Sequence, residues 1–450
     1  MFFNLPNMKA KINNFKNAKN SIERFIPISK QEIIANLLAD SHWLPAERQQ
    51  FADFCNLFIA LYHYKFHNYL ERFKNYYMPF NPDTDTIAPQ FSVEDQQQCY
   101  SQLIKEIHQL LNHANYEPLT ITKIDQAITG ESYYGVEVSV DWDDFVEIIM
   151  YYRGSTTLVE SKRTWTSLLL RTRKTEITTY KKLFLLLKFK TTAERIREWV
   201  AIHGSHSEKQ AKQRIHRVRQ AWPKNLNEEH VFIKLFKDIP LSDLKMLFPN
   251  QKVRFRLFDK IKLGITGGGG TIAGIISVIS KASLIFISPI TFIMALLGFI
   301  GVIIRQIMGI FNQRNYYMMT LFQNLYFLNL DNNLGVINYL VDMAEEEECK
   351  EAILAYYFLY VHADKNYTKE QLDQEIENYI NYQYGVMANF EIEDGLRKLR
   401  QEGLLKEENG ILTVIDLPQA CLYLDNQWDN FFTPSTQKTS FWSRFSSEWF

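Results

Sequence analysis

Cysteine, glycine and proline are all scarce in this 450-residue sequence. Its cysteines, Cys55, Cys99, Cys349 and Cys421, form no C-x-x-C pair, so neither a zinc ribbon nor a thioredoxin-type site is indicated. A chain of this length needs no disulfide staples, and we therefore predict buried free thiols in a reducing compartment. The 18 glycines and 13 prolines are too few for collagen-like or elastic sequence.

Net charge is also nearly absent. Fifty basic residues face 51 acidic ones, which excludes a globally basic nucleic-acid binder. The hydrophobic content of 46% excludes wholesale disorder, and the aromatic content of 14% predicts large buried cores. Residues 1–22 have no apolar core and no small-residue cleavage site, so we expect a disordered basic lead-in rather than a secretory signal.

One long stretch, residues 263–304, carries Lys281 as its only charge. Ala282–Ile304 is long enough to span a bilayer, whereas Leu263–Ser280 is glycine-rich and marginal by itself. We predict a two-helix transmembrane hairpin, with its turn at residues 280–283 or nearer Pro289. The alternative is a buried apolar helix pair in a protein core.

Basic residues flank this stretch on both sides and predict its orientation. They are Lys252, Arg254, Arg256, Lys260 and Lys262 before it, and Arg305 and Arg314 after it. The positive-inside rule then predicts a multi-pass protein of the bacterial inner membrane with both termini cytoplasmic. The alternative location is the mitochondrial inner membrane.

The remaining sequence predicts an α+β protein that is mostly helical. Alternating valines after residue 135 and apolar runs near residues 146–152, 180–189 and 231–236 predict a small antiparallel sheet. The order helix, helix, short strands after Thr368 resembles a winged helix. The predicted parts are a helical domain (23–117), a sheet domain (118–250) with a basic helical insert (190–225), the hairpin, a helical region (312–365), the winged-helix-like subdomain (366–432) and a tail (433–450).

The basic insert suggests a partner. From Lys188 to Lys224, ten basic residues face three glutamates. Such a segment could lie against anionic lipid headgroups, and a solvated helical face is the alternative. No stacking motif accompanies it, so nucleic acid is not predicted as a partner.

Three groups of residues have the composition of a chemical site, and none of them is predicted to be one. His63 and His67 share a helix face with Glu71, but no H-E-x-x-H is present. The acidic run Glu345–Glu348 with Glu351 lacks an E-x-x-H pair, so a solvated helix face, or one that pairs with the basic insert, is predicted. Gly267–Gly270 lacks the ending of a phosphate-binding loop. We therefore assign no catalytic, cofactor-binding or metal-binding residue and predict no cofactor.

Several strings, in matching order, resemble the transmembrane protein 143-like family, which shares a domain of unknown function. The strings are residues 24–27, 79–86, 152–154, 236–240, 246–250, 329–333, 350–352 and 428–432. The resemblance covers roughly residues 23–432, and the basic insert departs from it. It implies a two-span membrane protein of bacteria and mitochondria without an established activity. Arg153, Asp238, Asp331 and Asn333 match family strings, and the resemblance gives them no role.

From these observations we expect a membrane-anchored cytoplasmic adaptor or scaffold rather than an enzyme. Its soluble parts would pack together beneath the bilayer and present a surface to a protein partner. The alternative is an oligomeric channel or transport subunit. Because one hairpin cannot enclose a pore, this alternative requires a homo-oligomer of the glycine-rich hairpins.

Overall fold

The structure is a computed structural model that describes most of the chain. The described residues are 19–20, 22–83, 91–127, 136–163, 172–204, 207–220, 222, 226–250, 252–255 and 325–431, with single positions between 290 and 319. All statements below concern these residues.

The N-terminal part is helical and supplies a large share of the core. Its helices are α1 (Lys30–Leu38), α2 (Pro45–Tyr77), α3 (Val93–His113) and α4 (Ile121–Ala127). Ser29 and Ser92 cap α1 and α3, each accepting a hydrogen bond from a backbone N–H in the first turn. Buried aromatic residues recur along one side of α2 at helical spacing, among them Phe51, Phe54, Phe58, Phe66 and Phe73. Burial of this apolar side holds α2 in the core.

A twisted antiparallel sheet forms the centre of the molecule. The described strands before residue 333 are β1 (Lys19–Asn20), β2 (Glu117–Pro118), β3 (Val136–Ser139), β4 (Phe145–Arg163), β5 (Thr172–Phe189), β6 (Val231–Pro240), β7 (Lys252–Phe255) and β8 (Asn329–Asn332). The main sheet has the order β1-β4-β5-β6-β8, with β2 also on β4, and β3 pairs with β7. Side chains alternate between its faces, so Phe184 and Leu186 enter one core, whereas Leu183 and Leu185 enter another.

Two helices, α5 (Thr192–His203) and α6 (Glu208–Gln220), form an insert between β5 and β6. Thr191 and Glu194 form a capping box that starts α5 at the end of β5. The insert therefore begins at a defined point, and its first turn is held at the edge of the sheet.

The long helix α7 (Asn333–Val361) lies in the middle of the main core and is followed by the C-terminal elements. These are α8 (Lys369–Tyr384), α9 (Ile392–Gln401), β9 (Leu405–Glu408), β10 (Ile411–Val414) and α10 (Leu417–Asn430). Residues of α7, α8, α9 and α10 share one buried cluster with α2, α3 and one face of the sheet. The N-terminal helices, the sheet and the C-terminal elements are thus packed on one helix.

The predicted transmembrane hairpin is wrong for the part of the chain that the structure describes. No helix there is both long and apolar enough to cross a bilayer. The long helices α2 and α7, with 33 and 29 residues, both carry several charged side chains, which the hydrocarbon core disfavours. Most of residues 263–304, including Gly267–Gly270 and Lys281, lies outside the described residues.

The fold class and the location change with this finding. The described chain is a mostly helical protein with an antiparallel sheet. The multi-pass location in a bacterial or mitochondrial inner membrane depended on the hairpin and its flanking charges. The predicted location is therefore wrong for the same reason as the hairpin, because no described helix could cross a bilayer.

Candidate functional site: a buried ionic cluster on the central helix

The acidic run of α7 is buried apart from Glu346, and its predicted role as a solvated face is therefore wrong. Glu347, Glu348 and Glu351 are only 1%, 4% and 2% exposed, and Lys350 is 3% exposed. The reason is the position of α7, which is surrounded by other elements along most of its length. Buried carboxylates need counter-charges and hydrogen-bond donors, and other parts of the chain supply them.

We call these groups the ionic cluster: Arg153, Glu347, Lys350, Glu348, Glu351 and Lys398, together with His113. The cluster has two halves, one centred on Glu347 and one on Glu348 and Glu351. Each half joins α7 to a different region of the sequence.

The first half holds the N-terminal segment onto α7. The Arg153 guanidinium lies 2.8 Å from Glu347 Oε1, and Lys350 Nζ lies 2.5 Å from the same oxygen. The backbone N–H of Ile26 donates to Glu347 Oε2 at 3.1 Å. Lys350 donates in turn to the carbonyl oxygens of Ile26 and Ile28, at 2.8 and 3.2 Å. Two α7 side chains thus bind the backbone of an extended segment that is more than 300 residues distant in sequence.

Arg153 belongs to β4 and brings the sheet into the same contact. Its guanidinium lies over the Phe25 ring, 4.1 Å from the ring centroid, which is a cation–π geometry. The next residue, Gly154, has a φ of +73°, and a Cβ there would lie 2.8 Å from Glu23 Oε2. Only glycine therefore allows residues 23–25 to approach β4 this closely without strain.

The second half connects α7 to α3 and α9. Glu348 Oε1 lies 2.6 Å from His113 Nδ1 and 3.6 Å from Lys398 Nζ. Lys398 donates to Glu351 Oε2 at 3.1 Å, and the Asn115 side-chain amide donates to Glu351 Oε1 at 2.9 Å. Gly395 makes this approach of α9 feasible, because a Cβ there would lie 2.8 Å from the Glu351 carbonyl oxygen.

The two carboxylates of this second half have opposite pKa shifts. Burial raises the pKa of Glu351 to about 7, and the nearby Lys398 offsets this only in part. For Glu348, burial acts in the same direction, but Lys398 and His113 outweigh it and hold the pKa below its usual range. Burial also disfavours the charged Lys398, yet Glu348 and Glu351 raise its pKa. Burial therefore brings the pKa of the Glu351 carboxyl close to neutral pH.

The other residues from the family strings lie away from the cluster, at the beginning of α7 and in the sheet. The Asn333 side chain accepts from the Ile233 N–H at 3.0 Å and donates to Asp83 Oδ2 at 2.5 Å. Asp331 accepts from the Asn332 N–H at 2.8 Å, and Asp238 has a left-handed φ of 51° within β6. Asn333 thus connects β6 with the segment after α2 at the start of α7, whereas Asp238 lies near the other end of β6.

The histidine constellation does not come together. His63 contacts Glu345 at 3.0 Å, whereas His67 is exposed and Glu71 pairs with Lys74 at 2.7 Å. Over the described ranges, no group of three His, Cys, Asp or Glu side chains has an arrangement that could hold a metal ion. The glycine run considered as a phosphate loop lies outside the described residues.

Sequence reasoning missed His113, Asn115, Lys350 and Lys398 as members of one site. One signal was available, because apolar residues surround the acidic run on every face of α7. A helix without a polar face is usually buried, and its acids must then find partners. The identity of those partners depends on tertiary contacts and could not be read from spacing.

Residues 145–335 match a family described as Protein of unknown function (DUF3754). This range extends from β4 to the start of α7, so it includes Arg153, Asp238, Asp331 and Asn333 but ends before the acidic run. No solved structure matches the chain. The match carries no link to the transmembrane protein 143-like family, and that resemblance stays a prediction.

Proposed function

We propose that the protein is an adaptor or scaffold, a rigid frame that presents surfaces to partner proteins. The ionic cluster is the observation that supports this proposal. Each of its charged groups faces a counter-charge, and Glu347, Glu351 and Lys350 also bond to backbone or amide groups. These side chains join distant segments of the chain, as expected of structural residues rather than of catalytic ones.

The frame fixes three separate regions relative to one another. Breaking a buried ion pair by removing one partner typically costs about 3–5 kcal/mol, so the pairs are not expected to open readily. The segment around Ile26, strand β4 and helix α9 therefore keep constant positions on α7. An adaptor needs this property, since preorganised surfaces lose less free energy on binding.

The test is isolation of a stoichiometric complex. The tagged full-length chain is cross-linked in its source cells, and enriched proteins are quantified by mass spectrometry. Each candidate is then purified and mixed with the purified chain, and the mass of the complex is measured. We expect at least one protein to bind in a fixed ratio and to give cross-links on a defined surface.

A variant pair tests whether the frame matters for binding. Lys398→Met removes a buried cation of the cluster, whereas Lys406→Met removes an exposed cation on β9. At a temperature where circular dichroism shows both variants folded, we expect only Lys398→Met to weaken the complex, by about tenfold or more. The proposal fails if no protein binds in a fixed ratio, or if the purified chain converts a small-molecule substrate.

A further inference from the structure

The insert formed by α5 and α6 exposes several cations, and within the described part of the chain Lys212 is the one of these that forms an ion pair. We call the exposed basic side chains of the insert the basic face. Its members are Arg197, Lys209, Lys212, Arg214, His216 and Arg217. Helix α6 carries one acid, Glu208, which pairs with Lys212 at 2.6 Å. The remaining cations of the basic face have no carboxylate of α6 to balance them.

Other basic residues of the insert fasten it to the sheet. Arg195 Nε lies 3.0 Å from Asp144 Oδ1, and Arg219 donates to the Lys190 carbonyl oxygen at 2.6 Å. The α5 acids are also held near the root of the insert, since Glu198 pairs with Lys190 at 2.7 Å and Glu194 accepts from the Thr191 N–H. The insert is therefore anchored to the sheet, with the acids of α5 near its base and the cations of the basic face exposed.

The insert also exposes an apolar side chain. Ile202, in the last turn of α5, is 77% exposed. A basic surface with an exposed aliphatic side chain suits the interface of an anionic bilayer, where cations meet phosphate groups and the apolar group enters the headgroup region. An acidic protein surface would provide the charge but gives no reason for the isoleucine.

The insert is less suited to single-stranded nucleic acid. Binding of that kind uses free aromatic rings on which bases stack. The aromatic ring of the insert, Trp199, is already stacked on His203 with centroids 4.1 Å apart, and Arg214 lies over it at 4.6 Å. The ring is therefore occupied by the protein's own side chains.

We infer that the basic face docks peripherally on an anionic phospholipid surface, with Arg197, Lys209, Arg214 and Arg217 at the headgroups and Ile202 in the interface. The inference rests on the proposed function, because it names the surface on which the adaptor would present its partners. It requires no helix that crosses the bilayer. Each exposed cation near such a surface is expected to raise the partition coefficient of the protein from water to the membrane about fivefold.

The test is flotation of the purified full-length chain with vesicles. One set contains phosphatidylcholine alone, and the other contains phosphatidylcholine with phosphatidylserine. We expect binding to the second set only, and a decrease as salt rises. The double variant Lys209→Glu/Arg217→Glu should bind at least about 25-fold more weakly, and Ile202→Ser should weaken binding while its salt dependence is retained.

The matched control reverses two exposed lysines elsewhere, Lys123→Glu/Lys406→Glu, and changes the net charge equally. We expect its binding to stay within about twofold of the original chain, and thermal unfolding checks that all variants fold. Equal losses in the two double variants would overturn the inference, as would binding to a labelled single-stranded RNA but not to vesicles. The vesicle assay contains no partner protein, so its failure leaves the adaptor proposal intact, and failure to find a partner leaves the lipid result intact.

Discussion

The ionic cluster on α7 and the basic face of α6 contain the same kinds of residue in opposite settings. In the ionic cluster, the carboxylates and the Lys and Arg side chains are 1–4% exposed and paired with groups from distant segments. In the basic face, the cations are exposed, and Lys212 has a partner on the same helix. The comparison teaches that the number of charges in a helix says little about its role, whereas the residues between the charges decide whether it is buried.

The largest effect should come from removing a buried cation of the cluster. Lys398→Met keeps the length of the side chain but leaves Glu348 and Glu351 without their shared cation. We expect the free energy of unfolding to fall by about 3–5 kcal/mol, because an uncompensated charge remains in the core. Chemical denaturation measures this loss.

The same substitution on the basic face is the control. Lys209→Met on α6 should change the free energy of unfolding by less than about 0.5 kcal/mol, since the side chain is exposed. If both variants lose a similar amount of stability, burial is not what distinguishes the two regions.

The pH dependence of stability should also come from the cluster. The pKa of Glu351 is raised from 4.5 to about 7 in the folded protein, so between these values the folded state binds more protons than the unfolded state. Its contribution is therefore fully present below about pH 4.5 and is lost as the pH rises through about 7, by an amount on the order of 3 kcal/mol. Denaturation curves across this window measure the change.

Glu351→Gln isolates this contribution, because it removes the titrating group and keeps one amide oxygen that can accept from Lys398 or from Asn115. We expect the difference in stability between the original chain and the variant to depend on pH between about 5 and 8. A constant difference over that window would show that Glu351 is not the group that titrates.

The approach of the N-terminal segment to β4 can be tested at a glycine. Gly154→Ala should cost about 1–3 kcal/mol, because it combines a left-handed φ with a Cβ that meets Glu23 and Phe25. Gly410→Ala is the matched control, since its φ of +79° is similar and its Cβ would meet nothing within 4 Å. Equal losses in thermal or chemical unfolding would mean that strain alone acts at Gly154.

The sequence predicted much of the local structure and little of the site. Helical spacing indicated α2, α3 and α7, and apolar runs indicated β4, β5 and β6, because these patterns depend on neighbours within one element. The cluster joins Ile26, Arg153, Glu347 and Lys398, whose positions in the sequence are far apart. Only the packing of α7 against the sheet and α9 brings them together, and no local pattern reports that packing.

The same distinction explains the wrong predictions. The acidic run was assigned to solvent because charge alone was considered, although apolar residues surround it on α7. The hairpin was predicted from the composition of residues 263–304, and no helix of the described chain has the length and apolarity to span a bilayer.

Among the contacts between segments, the smallest effect should come from an ion pair near the surface. Arg24 lies 2.7 Å from Glu391, and the two side chains are 40% and 27% exposed. We expect Arg24→Ala to lower the free energy of unfolding by less than about 1 kcal/mol, and salt should reduce the loss further, because water screens a half-exposed pair. Denaturation at low and high salt measures both effects. The loss at Arg24 is to be compared with the loss at Lys398. If the two losses are equally large, a half-exposed ion pair stabilises the fold as much as a buried one, and the role assigned to burial is wrong.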